Sequence, residues 1–267
     1  MMTVRTTTDT AEILGRLEPV LITDPVRNTI FASVRDQLRA VGTGGWCAHN
    51  RVALAARSGV ALPIALTEGW ADVPELIAAI ATLPSLSGIG GPVTAVEAVV
   101  AGLDRTPRRR IAERLFRLDK LVELPRVPGS ARPAGESDLD LVTRWATPYT
   151  VETFGALPDE FDPRALATSA VTFSRSWLWC DGAGEPVSMA TRRRPAAGVS
   201  RIGPVYTPPE HRGHGYGSAV TARAAFDILD LAGVPVLYTD VANPTSNKIY
   251  RAIGFRPVTD RLSVSFR

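Results

Sequence analysis

Residues 199–232 set the strongest constraint on how this chain folds. Ile202, Val205, Tyr206 and Thr207 have the β-branched and aromatic character of a strand, and Pro208 with Pro209 ends it because proline lacks the donor a ladder needs. Gly213, Gly215 and Gly217 follow as a loop. From Ser218 onward Val220, Ala224, Ile228 and Leu231, with Ala225 and Leu229 beside them, recur at the spacing of a helix. A helix beginning inside a glycine loop exposes unpaired N–H groups at the positive end of its dipole, and without Cβ atoms an anion can reach that backbone. A phosphate or pyrophosphate is the natural guest; without one, the same stretch is a tight strand-to-helix turn.

The loop reads Arg212-Gly213-His214-Gly215-Tyr216-Gly217, an R-x-x-G-x-G arrangement. A P-loop needs G-x-x-x-x-G-K-S/T, and no lysine lies here; a dinucleotide fingerprint needs G-x-G-x-x-G with an acidic residue about 20 positions on. R-x-x-G-x-G after a strand resembles motif A of the GNAT superfamily of N-acetyltransferases. Further on, Val236 to Tyr238 reads as a short strand, followed by Asn243, Ser246, Tyr250, Gly254 and Phe255. Asn243 suits a helix cap, Pro244 its first position and Gly254 its end. This N-x-x-S-x-x-x-Y-x-x-x-G-F pattern is similar to motif B of the same superfamily, in the same order and at the matching distance. The resemblance spans roughly residues 133–267, and Gly-Pro-Val-Tyr-Thr-Pro-Pro with Asn-Pro-Thr-Ser-Asn look like its FR47-type branch.

The resemblance implies an α/β fold, a mixed and mostly antiparallel sheet flanked by helices, with acetyl-coenzyme A as co-substrate and no metal. It implies that Val205, Tyr206 and Thr207 pair with the pantetheine arm, and that amides of Arg212, Gly213, His214, Gly215, Tyr216, Gly217 and Ser218 hold the phosphates. Asn243, Ser246 and Asn247 are implied to reach the coenzyme, though Asn243 also reads as a plain cap. Tyr250 aligns with the tyrosine that protonates the departing thiolate; a phenol with a pKa near 10 suits that task, while the bland reading packs it beside Ile249 and Ile253. Many members carry a glutamate on the motif A strand. Residues 195–206 here contain no carboxylate, so the base is open: Asp240 is the nearest candidate, with Glu152 and Asp181 behind it.

With 267 residues, 45% of them apolar, and mean hydropathy near zero, the chain has material for two compact domains or one large one. Its formal charge is +3, and almost all its basic residues are arginine, lysine occurring only at Lys120 and Lys248. No basic stripe with interleaved aromatics suggests nucleic acid. No apolar run is long enough for a membrane span or a signal peptide, and Cys47 and Cys180 do not make a disulfide scaffold, which points to the cytoplasm. The expected partners are a small-molecule amine or a peptide or protein amine as acceptor, with no nucleic acid and no membrane, in a monomer or homodimer.

In chain order, residues 9–40 read as helical, Trp46 to Leu66 as short strands, Asp72 to Leu83 as a helix, Ser87 to Val93 as a strand end, Thr94 to Leu103 as a helix and Ile111 to Leu124 mainly as a strand. Pro125 to Pro133 reads as a linker between a domain over 1–124 and a second over 134–267. In the second, Asp138 to Trp145, Val151 to Leu157 and a stretch capped by Asp162-Pro163 read as helices, and Trp177 to Cys180 with Pro186 to Arg192 as a strand pair. Trp46-Cys47-Ala48 parallels Trp177 to Cys180, and Ile89-Gly-Gly-Pro-Val93 parallels Ile202-Gly-Pro-Val205, with Thr94 to Glu97 standing where the glycine loop would be. These echoes suggest a tandem of related folds with a degenerate first copy; chance similarity in an Ala- and Gly-rich chain is the alternative. The other functional reading is a catalytically inactive module that senses coenzyme A or mediates an interaction.

Overall fold

The computed structural model describes residues 3–70, 73–155, 157, 161–173 and 175–266. The chain divides into two compact units, Met1–Leu115 with Thr259–Arg267, and Phe116–Val258. Composition alone marks 125–133 as a linker, but this stretch is fastened within the second unit. The Trp179 indole donates to the Pro128 carbonyl at 3.0 Å, and Ser130–Pro133 is a strand antiparallel to Arg175–Cys180. An edge strand tolerates proline because one of its sides needs no donors.

The first unit runs β1 (Arg5–Thr7), α1 (Thr10–Thr23), α2 (Thr29–Val41), β2 (Trp46–His49), β3 (Leu54–Arg57), β4 (Ile64–Leu66), α3 (Val73–Ala81), β5 (Gly88–Pro92), α4 (Val93–Gly102) and β6 (Pro107–Leu118, its last three residues in the second unit). The expected helix start at Asp72 lies outside the described residues. Strands β1 to β4 are antiparallel in turn, β4 and β5 are parallel, and Arg261–Ser265 of the last strand pairs antiparallel with β5. Trp46, Ile64, Leu76, Ile89, Val96, Val99, Leu262 and Val264 form the core.

The second unit runs β7 (Ser130–Pro133), α5 (Leu139–Phe154), α6 (Pro163–Thr168), β8 (Arg175–Cys180), β9 (Pro186–Arg192), β10 (Val199–Tyr206), α7 (Tyr216–Asp230), β11 (Val234–Asp240), α8 (Pro244–Ile253) and β12 (Phe255–Phe266, from Thr259 onward in the first unit). Its strands β7 to β10 are antiparallel neighbours and β10–β11 is the parallel pair. Alternation puts Trp177, Ile202, Leu237 and Phe255 against Val220 and Ile228 of α7 and Tyr250 and Ile253 of α8, and Leu178, Met189 and Tyr206 against Val142 and Trp145 of α5. The two expected segments around Pro148 form one helix. Proline removes one bond of that helix, and burial of Val142, Trp145, Ala146 and Thr150 along one face keeps it continuous.

Apart from short turns, the order β-α-α-β-β-β-α-β-α-β occurs twice, so the architecture is a tandem repeat. The repeat corrects one sequence correspondence. The parallel pairs identify β4, not Ile89 to Val93, as the counterpart of β10, and β5 as the counterpart of β11. Strands β5 and β10 both carry Gly-Pro and both precede a helix, which is why local comparison matched them. The stretch equivalent to the glycine loop is therefore the one after Leu66, containing Glu68, Gly69 and Trp70.

Candidate active site

The β10–β11 ladder runs from Val199↔Val234 to Ile202↔Leu237 and stops, although β10 continues to Tyr206. On its other side β10 shifts register against β9 between Ile202 and Val205, around a cis Gly203–Pro204 bond. Beyond Ile202 the β11-facing edge of β10 is thus open, and its backbone groups are available for an extended guest. Val205, Tyr206 and Thr207 lie along that open stretch.

At its end stands the glycine loop. Helix α7 starts at Tyr216, two residues before the expected Ser218, with Gly215 as its N-cap at φ +83°. A side chain at Gly215 would be strained there, and its Cβ would also stand 3.1 Å from Val127 Cγ2. At Gly217 a Cβ would stand 3.2 Å from Thr207 Oγ1, so the loop backbone lies close on the end of β10. The first intrahelical bond here is from the Ala219 amide to the Gly215 carbonyl at 3.0 Å. The amides of Tyr216, Gly217 and Ser218 precede it and are the orphan donors of a helix N-terminus. His214 is exposed, its ring 5.5 Å from that of Tyr216.

Arg212 shapes this loop. Its Nε donates to the Thr207 carbonyl at 2.9 Å, and its Nη2 to the two Glu152 oxygens at 2.9 and 2.7 Å. Glu152, weighed above as a base, is thereby committed to an ion pair. No local pattern announces that pair, since the partners lie 60 positions apart. Asp181 is committed as well: it accepts from the Ala183 and Glu185 amides and holds the β8–β9 turn.

Helix α8 is capped as its sequence predicts. Asn243 Oδ1 accepts from the Ser246 amide at 3.0 Å, and Gly254 closes the helix at φ +113°. Asn247 is buried, and its Nδ2 donates to the carbonyls of Asp240 at 2.9 Å and Asn243 at 2.7 Å, tying α8 to the end of β11. Asp240 Oδ1 accepts from the Ala242 amide at 2.8 Å. Tyr250 is 8% exposed, with its ring edge-on to Phe116 and Phe255 at 6.4 and 6.2 Å. Burial raises its pKa above the ordinary tyrosine value; a hydrogen bond with the Ser246 side chain works the other way without reversing it.

The family model described as FR47-like protein matches residues 182–264, the span that contains β9 to α8 and most of β12. Over that span the chain is similar to the FR47-like family. A Drosophila protein matches this chain over 100% of its length and 99% of the other's, at TM-score 0.66 and 13% identity. A GNAT-family acetyltransferase from Colwellia psychrerythraea matches over 99% and 100%, at 0.60 and 13%. A tandem GNAT protein from the clavulanic acid biosynthesis pathway matches over 98% of each chain, at 0.59 and 12%. At these identities the likeness establishes the fold, that of a tandem GNAT protein. No curated protein matches in sequence. Among the described residues no helix is long and apolar enough to cross a membrane, and no three His, Cys, Asp or Glu side chains gather as metal ligands would.

Proposed function

We propose that the chain is an acetyl-coenzyme A-dependent N-acetyltransferase, its second unit holding the coenzyme and passing the acetyl group directly to a primary amine. The parting of β10 from β11 beyond Ile202, with the α7 N-terminus at the far end of the open edge, carries this reading. The coenzyme fits what is present: an extended arm along Val205 to Thr207 and a pyrophosphate on the amides from Arg212 to Ser218, where glycines leave the backbone bare. Asn243, Ser246 and Asn247 line the arm from α8. The coenzyme supplies an acetyl thioester. Tyr250 holds the proton that the sulfur takes as the C–S bond breaks and the N–C bond forms, and Asp240 accepts the proton that the amine loses.

The first unit is a degenerate copy that holds no coenzyme. Its β4–β5 ladder reaches Ala65↔Gly90, and a Cβ on Gly91 would stand 2.8 Å from the Leu66 carbonyl, so these two strands stay together where β10 and β11 part. Trp70 is packed into the core just after β4. Work in a reducing compartment such as the cytoplasm agrees with Cys47 and Cys180 being buried and unpaired. The lack of a carboxylate on β10 favours a second reading, a coenzyme A sensor without turnover, and thiol release in the presence of amines separates the two.

Calorimetric titration with coenzyme A and acetyl-coenzyme A is the direct test. Micromolar binding is expected for the natural chain and none for Gly215→Glu, whose carboxylate occupies and repels from the cradle. If the natural chain takes up neither compound, the proposal falls.

A further inference from the structure

We infer that residues 119–129 form an outer wall of the coenzyme cradle and that Arg126 on this wall receives one of the coenzyme's phosphates; this inference rests on the acetyltransferase reading. Composition makes much of the stretch look like a linker, yet it is pinned at both ends within the second unit. The Asp119 and Val122 amides donate to the carbonyls of Gly254 and Ile253 at 3.2 and 2.9 Å, and a Cβ on Gly254 would run into the Lys120 carbonyl. At the other end the Pro128 carbonyl accepts from Trp179, and a Cβ on Gly129 would run into the Cys180 carbonyl. Leu121, Leu124 and Val127 are half-buried in step, the period of three that suits an extended chain stiffened by Pro125 and Pro128. Leu121 and Leu124 pack on the core under α7 and α8, and Val127 meets Gly215, the N-cap of α7.

The loop itself brings little net charge to a phosphate. The start of α7 offers only the partial charge of its free amides. Arg212 is already spent, with its Nη2 on both Glu152 oxygens and its Nε on the Thr207 carbonyl. Arg126 is the neighbouring cation that remains: its Cα is about 3.8 Å from that of Val127, and its side chain is exposed. Among the described residues no carboxylate forms an ion pair with it, Glu123 on the same segment and Glu210 of the loop included.

There is room beside it. A Cβ on Gly213 would meet nothing within 4 Å among the described residues, and one on Gly215 would meet Val127 alone. A guanidinium matches a phosphate with two parallel hydrogen bonds, and a wall fixed before the ligand arrives loses little freedom in making them.

Calorimetric titration of the full chain with coenzyme A and with dephospho-coenzyme A, which lacks the 3′-phosphate, tests the assignment. Arg126→Gln should weaken coenzyme A binding about tenfold and Arg126→Lys by less. Arg144→Gln, which removes an equal charge from the exposed side of α5, should leave it unchanged. A loss in Arg126→Gln that disappears with dephospho-coenzyme A puts Arg126 on the 3′-phosphate, and an equal loss with both compounds puts it on the pyrophosphate; either supports the inference. Unaltered coenzyme A affinity in Arg126→Gln overturns it and leaves the acetyltransferase reading standing, as does an equal loss in Arg144→Gln. Failure of the natural chain to bind either compound removes both.

Discussion

Tyr250 carries the chemistry proposed here through its surroundings more than its identity. Enclosed by Phe116, Phe255 and Ile253, the phenol keeps its proton at pH values where an exposed tyrosine would begin to lose it. Tyr250→Phe preserves the packed ring and removes the proton, so kcat should fall by about 10²- to 10⁴-fold with coenzyme A affinity unchanged. Because the shift is upward, the natural enzyme should show no loss of kcat from Tyr250 ionisation up to about pH 10. A pH profile of both proteins, with calorimetry on the variant, checks the pair. The tyrosine and its cap Asn243 were readable from their spacing. The commitment of Glu152 to Arg212 was not, because an ion pair across 60 positions depends on how α5 is laid over the loop.

At the scale of elements, α5 is held at its start by Asp138, which binds Arg132 with both oxygens and accepts the Gly135 amide at 2.9 Å. The Arg132 bond holds the Asp138 carboxyl below its ordinary pKa. A carboxylate whose folded pKa is depressed contributes stability above its unfolded value of roughly 4 and loses it as pH falls through the folded value. Asp138→Asn should therefore cost about 1–2 kcal/mol at pH 7, a difference that shrinks on acidification below about pH 4. Urea midpoints of both proteins across that range measure it. Strand β10 shows the complementary limit: its composition marked a strand, but whether its far edge is paired or open depends on where β11 begins and turns away. Pro148, likewise, divided α5 in the sequence, and only the buried face of the helix explains its continuity.

For the whole molecule, the repeat has a measurable consequence. One coenzyme A should bind per chain, since β4 and β5 stay paired and Trp70 is buried in the first unit. Calorimetry reads that number directly, and two equivalent sites would contradict the degenerate copy. Trp70→Ala should destabilise the first unit by about 3–5 kcal/mol while leaving the stoichiometry at one, as followed by thermal unfolding with and without coenzyme A.

The glycine loop, the capped α8 and the tyrosine on it were determined by the sequence, because each depends on steric and hydrogen-bonding rules that act within a few residues. The existence of two similar halves was legible too, but their correspondence was not. Short Gly-Pro strands look alike locally, and only the parallel pairs β4–β5 and β10–β11 assign each its place. The tertiary structure alone decided which carboxylates are committed and where β10 parts from β11. Charge pairing is a matter of distance through space, and the chain determines that distance only once its strands are in register.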